Sequence, residues 1–215
     1  MYGFHFSHTE GNLLTAAACA RGFIEAAGDA DYTLAVVPVT LAKNHANVGK
    51  ALSGTLTRGS FVSQELEDLL IHFTHARKPE KGEALPRAHV ALQVAQYRSR
   101  LETFEPAVSK YYAWLCDLTH PGASSVLSYA ESLTETASRI RFSLNAERTN
   151  LEVLRARLES VIPKLLMFGV NPALATLKLL NTFSIRRLHT RYMKKVDMSE
   201  TPLWQKVCAL IGGAV

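Results

Sequence analysis

Residues 12–28, "NLLTAAACARGFIEAAG", carry apolar side chains almost all round a helical wheel. A helix of that kind has to be covered by protein on most of its sides. Several neighbouring elements must therefore exist, and helices are what the chain goes on to offer. "SQELEDLLIHFTHARKP" has Ser63 as N-cap, Glu65, Glu67 and Asp68 near the positive end, and His75, Arg77, Lys78 and Pro79 at the other. Leu66, Leu69, Leu70 and Phe73 recur at i, i+3, i+4 and i+7 as one apolar stripe. "KPEKGEALP" reads as an exposed loop, after which "RAHVALQVAQYRSRLETF" resumes helical spacing. Pro106 sits in the first turn of a helix with Val108, Tyr111, Tyr112, Leu115 and Leu118 on one side.

Further on, "NAERTNLEVLRARLESVIP" predicts an amphipathic helix with Leu151, Leu154, Leu158 and Val161 as its seam. "NPALATLKLLNTFSIRRLHTRYMKKV" predicts a long helix with Asn171 as N-cap and Pro172 at its first position. In "YTLAVVPVT" the β-branched residues favour a strand, but Pro38 opposes a central one and no partner strand is evident; the segment reads as helix with a break near Pro38. No βαβ alternation is found. The class is all-α, an up-and-down bundle of roughly seven helices in a single domain over residues 1–215, with 171–215 as a C-terminal helical extension. The 215 residues, 47% of them apolar, suffice for the core.

The 24 Lys and Arg against 19 Asp and Glu permit an anionic partner without demanding one. Cys19, Cys116 and Cys208 form no CxxC pair, which fits a reducing cytoplasm rather than a disulfide framework. The opening "MYGFHFSHTEGNLL" lacks the basic region of a secretory signal, and the apolar run after it meets Arg21 too soon to span a bilayer. No membrane partner is expected. Two HxxH pairs, His5 with His8 and His72 with His75, have no nearby Cys, Asp or Glu to complete a recognised spacing, so neither metal nor cofactor is expected.

Arg21 and Glu25, the only charges in the first helix, fall about 40° apart on one stripe with Leu14, Ala17 and Ala18. They suit either a weak pair on a narrow solvent strip or a mostly buried Arg21 whose planar fork fixes a carboxylate, phosphate or helix end. In "YYAWLCDLTHPG" a titratable His120 precedes Pro121, which disfavours the helical conformation at His120 and ends the helix there. The imidazole then either caps the helix C-terminus or forms a unit with Asp117, three residues earlier. Arg187, Arg191 and Lys195, with Lys194 beside them, make a row of like charge opposite Leu174, Ile185, Leu188 and Tyr192. Such a row complements a helix end or binds the phosphate backbone of a nucleic acid.

Taken together, "ARGFIEAAGDADY" and "YYAWLCDLTHPG" resemble the HEPN-like all-α superfamily, in particular bacterial members with an R-x3-E helix and a later Y-x-x-L-[SC]-x-x-x-H-P helix end. The matching positions are Arg21 and Glu25, then Tyr112, Leu115, Cys116, His120 and Pro121. The resemblance covers residues 12 to about 130. It implies a helical bundle, frequent homodimerisation and a place in prokaryotic defence or toxin systems, often as a metal-independent ribonuclease. The superfamily's ribonuclease motif is an arginine, four to six intervening residues and then the histidine; at those arginine positions this chain has Leu115, Trp114 and Ala113. Two readings follow. In one, the protein engages RNA or another phosphate-bearing ligand, with degenerate ribonuclease chemistry from His120, Arg21, Glu25, Tyr112 and Asp117. In the other, Arg21, Glu25, Tyr112 and His120 form the polar network of a non-enzymatic interaction module.

Overall fold

The computed structural model describes residues 11–56, 63–131 and 140–212. They fold as an all-α protein with α1 (Leu13–Leu34), α2 (Val36–Lys43), α3 (His45–Leu52), α4 (Gln64–His75), α5 (Val94–Glu102), α6 (Ala107–Thr119), α7 (Ala123–Leu127), α8 (Leu144–Glu159), α9 (Ile162–Leu180) and α10 (Pro202–Leu210). Two isolated β-bridges replace strands among the described residues, and no single helix there is long and apolar enough to cross a membrane. His5 and His8 lie outside the described residues.

The chain divides into two compact units, one made of residues 1–28 and 94–166, the other of 29–93 and 167–215. In the first, α1 starts where the Asn12 side chain accepts from Thr15 N at 2.9 Å and Glu147 Oε1 accepts from Leu13 N at 2.9 Å, so two otherwise orphaned N–H groups are satisfied. Leu13, Ala16, Ala17, Ala20, Ile24 and Ala27 are buried, together with Leu101, Val108, Leu115 and the Leu151, Leu154, Leu158 and Val161 seam. α1 is less enclosed than its composition suggests: Leu14, Ala18, Gly22 and Ala26 stay outside the buried core as one i, i+4 row. These residues are mostly small, so little apolar surface is left wet. Near the end of this unit's share of α1, Gly28 lies against α5: a Cβ there would sit 2.9 Å from Tyr97 Cβ and 3.0 Å from its carbonyl oxygen. The two backbones approach that closely because Gly28 has no side chain.

In the second unit, α2 begins after a break at Ala35, and Pro38 sits within its first turn, where a missing N–H costs no helical hydrogen bond. α4 has its Ser63 cap, whose hydroxyl accepts from Leu66 N at 3.4 Å. His72 and His75 diverge: His72 is buried with its ring edge-on to Tyr32, while His75 is exposed. Residues 87–93 are not a continuation of the next helix. A short 3₁₀ turn at Arg87–His89 runs into an extended stretch, because Arg77 N donates to His89 O at 3.0 Å and Ala91 N to Arg77 O at 3.1 Å, which commits those groups to a bridge. Ala42, Ala175, Leu179, Met198, Trp204 and Val207 form a core cluster shared by α2, α9 and α10.

The largest departure from expectation follows α8. Asn171 is not a cap and Pro172 is not a first residue: α9 begins at Ile162 and runs through Pro172 to Leu180. Val161, Leu165, Pro172, Ala175 and Leu179 continue one buried stripe at helical spacing, and that burial outweighs the hydrogen bond Pro172 cannot donate. After Leu180 the helix stops, and residues 186–195 occupy two 3₁₀ turns, Arg186–Leu188 and Arg191–Lys195. The expected i, i+4, i+8 row of Arg187, Arg191 and Lys195 therefore does not exist as a helix face, nor does its apolar side, since Tyr192 is exposed.

The Gly28 approach gives a paired test. Gly28→Ala should destabilise by about 1–3 kcal/mol through overpacking on Tyr97, whereas Gly22→Ala, with open space around its Cβ position, should stabilise by up to about 1 kcal/mol through helix propensity. Denaturant melts of both variants check the opposite signs.

Candidate functional site

The R-x3-E motif forms what its spacing allows. Arg21 Nε donates to Glu25 Oε1 at 3.1 Å along α1, and both side chains are about 30% exposed (29% and 31%). From α6, 87 residues later in sequence, the Tyr112 hydroxyl donates to the same Glu25 oxygen at 2.6 Å. Arg21 Nη1 reaches Thr119 Oγ1 at 3.4 Å, one residue before His120, while the Thr119 hydroxyl donates back to Leu115 O at 2.8 Å. The two motifs named in the sequence thus meet within hydrogen-bond distance in the first unit.

The second side of the cluster was not read from sequence. In α5, Arg98 Nε donates to Glu102 Oε1 at 2.6 Å, and Ser109 Oγ of α6 donates to the same oxygen at 2.7 Å. The guanidinium carbons of Arg21 and Arg98 stand 5.7 Å and 5.4 Å from the centroid of the Tyr112 ring, within cation–π range. Arg98 and Glu102 repeat the R-x3-E spacing of Arg21 and Glu25, and that repetition was the signal available. Thr119 carried no signal of its own.

The electrostatics follow from these interactions. Burial, then the hydrogen bond to Glu25, pushes the Tyr112 phenol up to about 12, with Arg21 opposing. The neighbouring Tyr112 side chain raises the Arg21 guanidinium, partial burial lowers it, and Glu25 adds a smaller rise. Ser109 and then Arg98 hold the Glu102 carboxyl below its usual range. At neutral pH the cluster is two ion pairs around a protonated phenol. Tyr112 is therefore poorly suited to proton transfer.

His120 stands outside this network. It ends α6 with ψ 139°, as a residue before proline should, and its N–H donates to Cys116 O at 2.8 Å. Its imidazole is exposed and, among the described residues, has no hydrogen bond to Arg21, Glu25 or Tyr112; Asp117 forms no pair with it either. His120 instead lines an open groove of about 480 Å³ with Leu14, Leu118, Thr119, Pro121, Ser125, Val126, Tyr129 and Phe142. A short bridge, Ala130 with Phe142, brings that last ring alongside.

The cations Arg187, Arg191, Lys194 and Lys195 lie in the second unit with Arg186, on its surface and, among the described residues, without an ion-pair partner. Their segment has a fixed course. Asn181 clasps Thr190 through Nδ2 to its carbonyl at 3.0 Å and Oδ1 from its N–H at 2.7 Å, His189 Nε2 donates to Phe183 O at 2.6 Å, and Lys178 Nζ donates to Val196 O at 2.6 Å. Among the described residues no group of three or more His, Cys, Asp or Glu side chains is placed to hold a metal ion. Comparison of the chain with protein-family models, with curated proteins and with solved structures gives no match.

Removing the phenol tests the cluster. Tyr112→Phe should cost about 0.5–1.5 kcal/mol at neutral pH by deleting the bond to Glu25. The pKa of Tyr112 is raised from 10.0 to about 12 in the fold, so the stability it adds is complete below about pH 10 and is lost as pH rises through about 12. Denaturation between pH 9 and pH 12 should show that alkaline loss in the native sequence and a smaller one in Tyr112→Phe.

Proposed function

We propose that this is a HEPN-like helical protein that engages RNA or another phosphate-bearing ligand, with degenerate ribonuclease chemistry at most. The observation that carries the reading is the segment 186–195. Five cations, Arg186, Arg187, Arg191, Lys194 and Lys195, lie on an ordered stretch whose sequence from Asn181 to Val196 contains no acidic residue. Among the described residues these cations have no ion-pair partner; on a fixed backbone they repel one another unless an anion comes between them, and a phosphate chain is an anion that matches their number.

Catalysis has weaker support. His120 is exposed on a groove and reachable by a 2′-hydroxyl, but the oxyanion-stabilising role would fall to Arg21, whose Nε and Nη1 already serve Glu25 and Thr119. The second reading, a non-enzymatic interaction module, is favoured by one observation: Glu25 Oε1 is saturated by Arg21 and Tyr112, as a structural network requires. Homodimerisation belongs to the family resemblance. Any such interface falls on the helix with Leu151 and Leu154 or on the one near Trp114, through side chains other than Leu151 and Leu154 themselves, which are 3% and 0% exposed within one chain.

Two substitutions separate the readings. Arg191→Gln with Lys194→Gln should weaken RNA binding and reduce the slope of log affinity against log salt by about 0.7 for each phosphate that is no longer neutralised. The melting temperature should hardly move, since both side chains are exposed. His120→Ala should abolish any RNA cleavage while sparing binding. A purified protein with neither salt-sensitive RNA binding nor His120-dependent cleavage leaves the interaction module as the surviving reading.

A further inference from the structure

The 3₁₀ turn Arg191–Lys195 has three residues per turn, so positions three apart eclipse one another about 6 Å apart along the axis. This sorts the segment into three faces. Met193, 8% exposed, and the half-buried Val196, which packs against the core cluster, form the anchoring face. Arg191 and Lys194 share a second face, and Tyr192 and Lys195 the third. Tyr192 is 67% exposed, more than any other aromatic side chain among the exposed large residues described. Its ring therefore contributes little to the core, yet the backbone beneath it is pinned by Asn181 on Thr190 at one end and Lys178 on Val196 at the other.

A wet aromatic ring with a lysine one turn along, beside a parallel pair of cations, is the arrangement that serves an unpaired base and its flanking phosphates. The ring offers a π face to a base, and the cations take the backbone charge on either side. Duplex bases have their faces covered by stacking, so an exposed ring gains nothing from them. An anionic membrane would also attract the cations, but an interfacial binder presents an apolar face to the lipid, and here that face, Met193 with Val196, is turned into the protein.

We propose that residues 191–195 form a binding site for a single-stranded polynucleotide, with Tyr192 stacked on an unpaired base and Arg191, Lys194 and Lys195 on the adjoining phosphates. The inference rests on the phosphate-ligand reading above and names the substrate class for that segment.

The test uses the full chain and fluorescence anisotropy with single-stranded RNA and DNA oligonucleotides, a duplex of equal length, and anionic vesicles. Single strands should bind about tenfold or more tightly than the duplex. Tyr192→Ala should lose about tenfold on single strands, leave the duplex unchanged and leave the melting temperature unchanged, while Tyr192→Phe retains binding. A preference for the ribose or the deoxyribose strand upholds the stacking site and identifies its source. Equal binding of duplex and single strand, a neutral Tyr192→Ala, or preferred binding of vesicles overturns the inference. If Arg191→Gln with Lys194→Gln still weakens salt-sensitive binding while Tyr192→Ala does nothing, the stacking site fails and the phosphate reading stands; absence of salt-sensitive binding to every polyanion removes both.

Discussion

A tyrosine left only 6% exposed must find an acceptor for its phenol, and in this protein Tyr112 finds it on a helix that lies far away in sequence. Its hydroxyl bonds to Glu25, which can accept because Arg21 balances its charge at 3.1 Å. The alternative, a buried hydroxyl with no partner, costs about 1–3 kcal/mol. That requirement sets the rotation of α6 about its own axis, since the face carrying Tyr112 also carries Val108, Leu115 and Leu118. It also fixes where the Thr119–His120–Pro121 helix end emerges, and with it one wall of the groove. On α5, Arg98, paired with Glu102, stands within cation–π range of the ring, and Gly28 lets the α5 backbone come close enough for it to do so.

The basic segment is governed by competition for backbone groups. A helical continuation past Leu180 would have stacked Arg187, Arg191 and Lys195 one turn apart, an arrangement that repels. It would also have drawn on Thr182, Ser184, Ile185 and Thr190, residues of modest helix propensity. Against it stand side-chain bonds to backbone, Asn181 to Thr190 and His189 to Phe183, that satisfy the same carbonyls and N–H groups without a helix. Phe183 itself is locked by His45, whose ring stacks on it at 4.5 Å. The result keeps the charges outward, on a backbone that a partner need not order first.

Much of the architecture was legible one element at a time. Ser63, the Leu66–Phe73 stripe, the break before Pro38 and the helix end at His120 are decided by interactions within a few residues, so capping, periodicity and proline geometry predict them. Two expectations failed because the deciding partner lay elsewhere. Val90 and Ala91 are extended because Arg77 claims the hydrogen bonds of His89 and Ala91, and Pro172 is mid-helix because Pro172, Ala175 and Leu179 are buried together at helical spacing.

The candidate site divides along the same line. The sequence by itself determined that Arg21 and Glu25 pair, since i, i+4 spacing on one helix leaves little choice, and that His120 terminates its helix, since proline follows. Only the tertiary structure decided that Tyr112 and Thr119 join Arg21 and Glu25 while His120 and Asp117 do not, that Arg98, paired with Glu102, stands within cation–π range of the Tyr112 ring, and that the cations of 186–195 lie on turns rather than along a helix. The physical reason is range: spacing along a helix fixes neighbours within one or two turns, whereas a bond across 87 residues depends on which faces the packing of several helices turns toward each other.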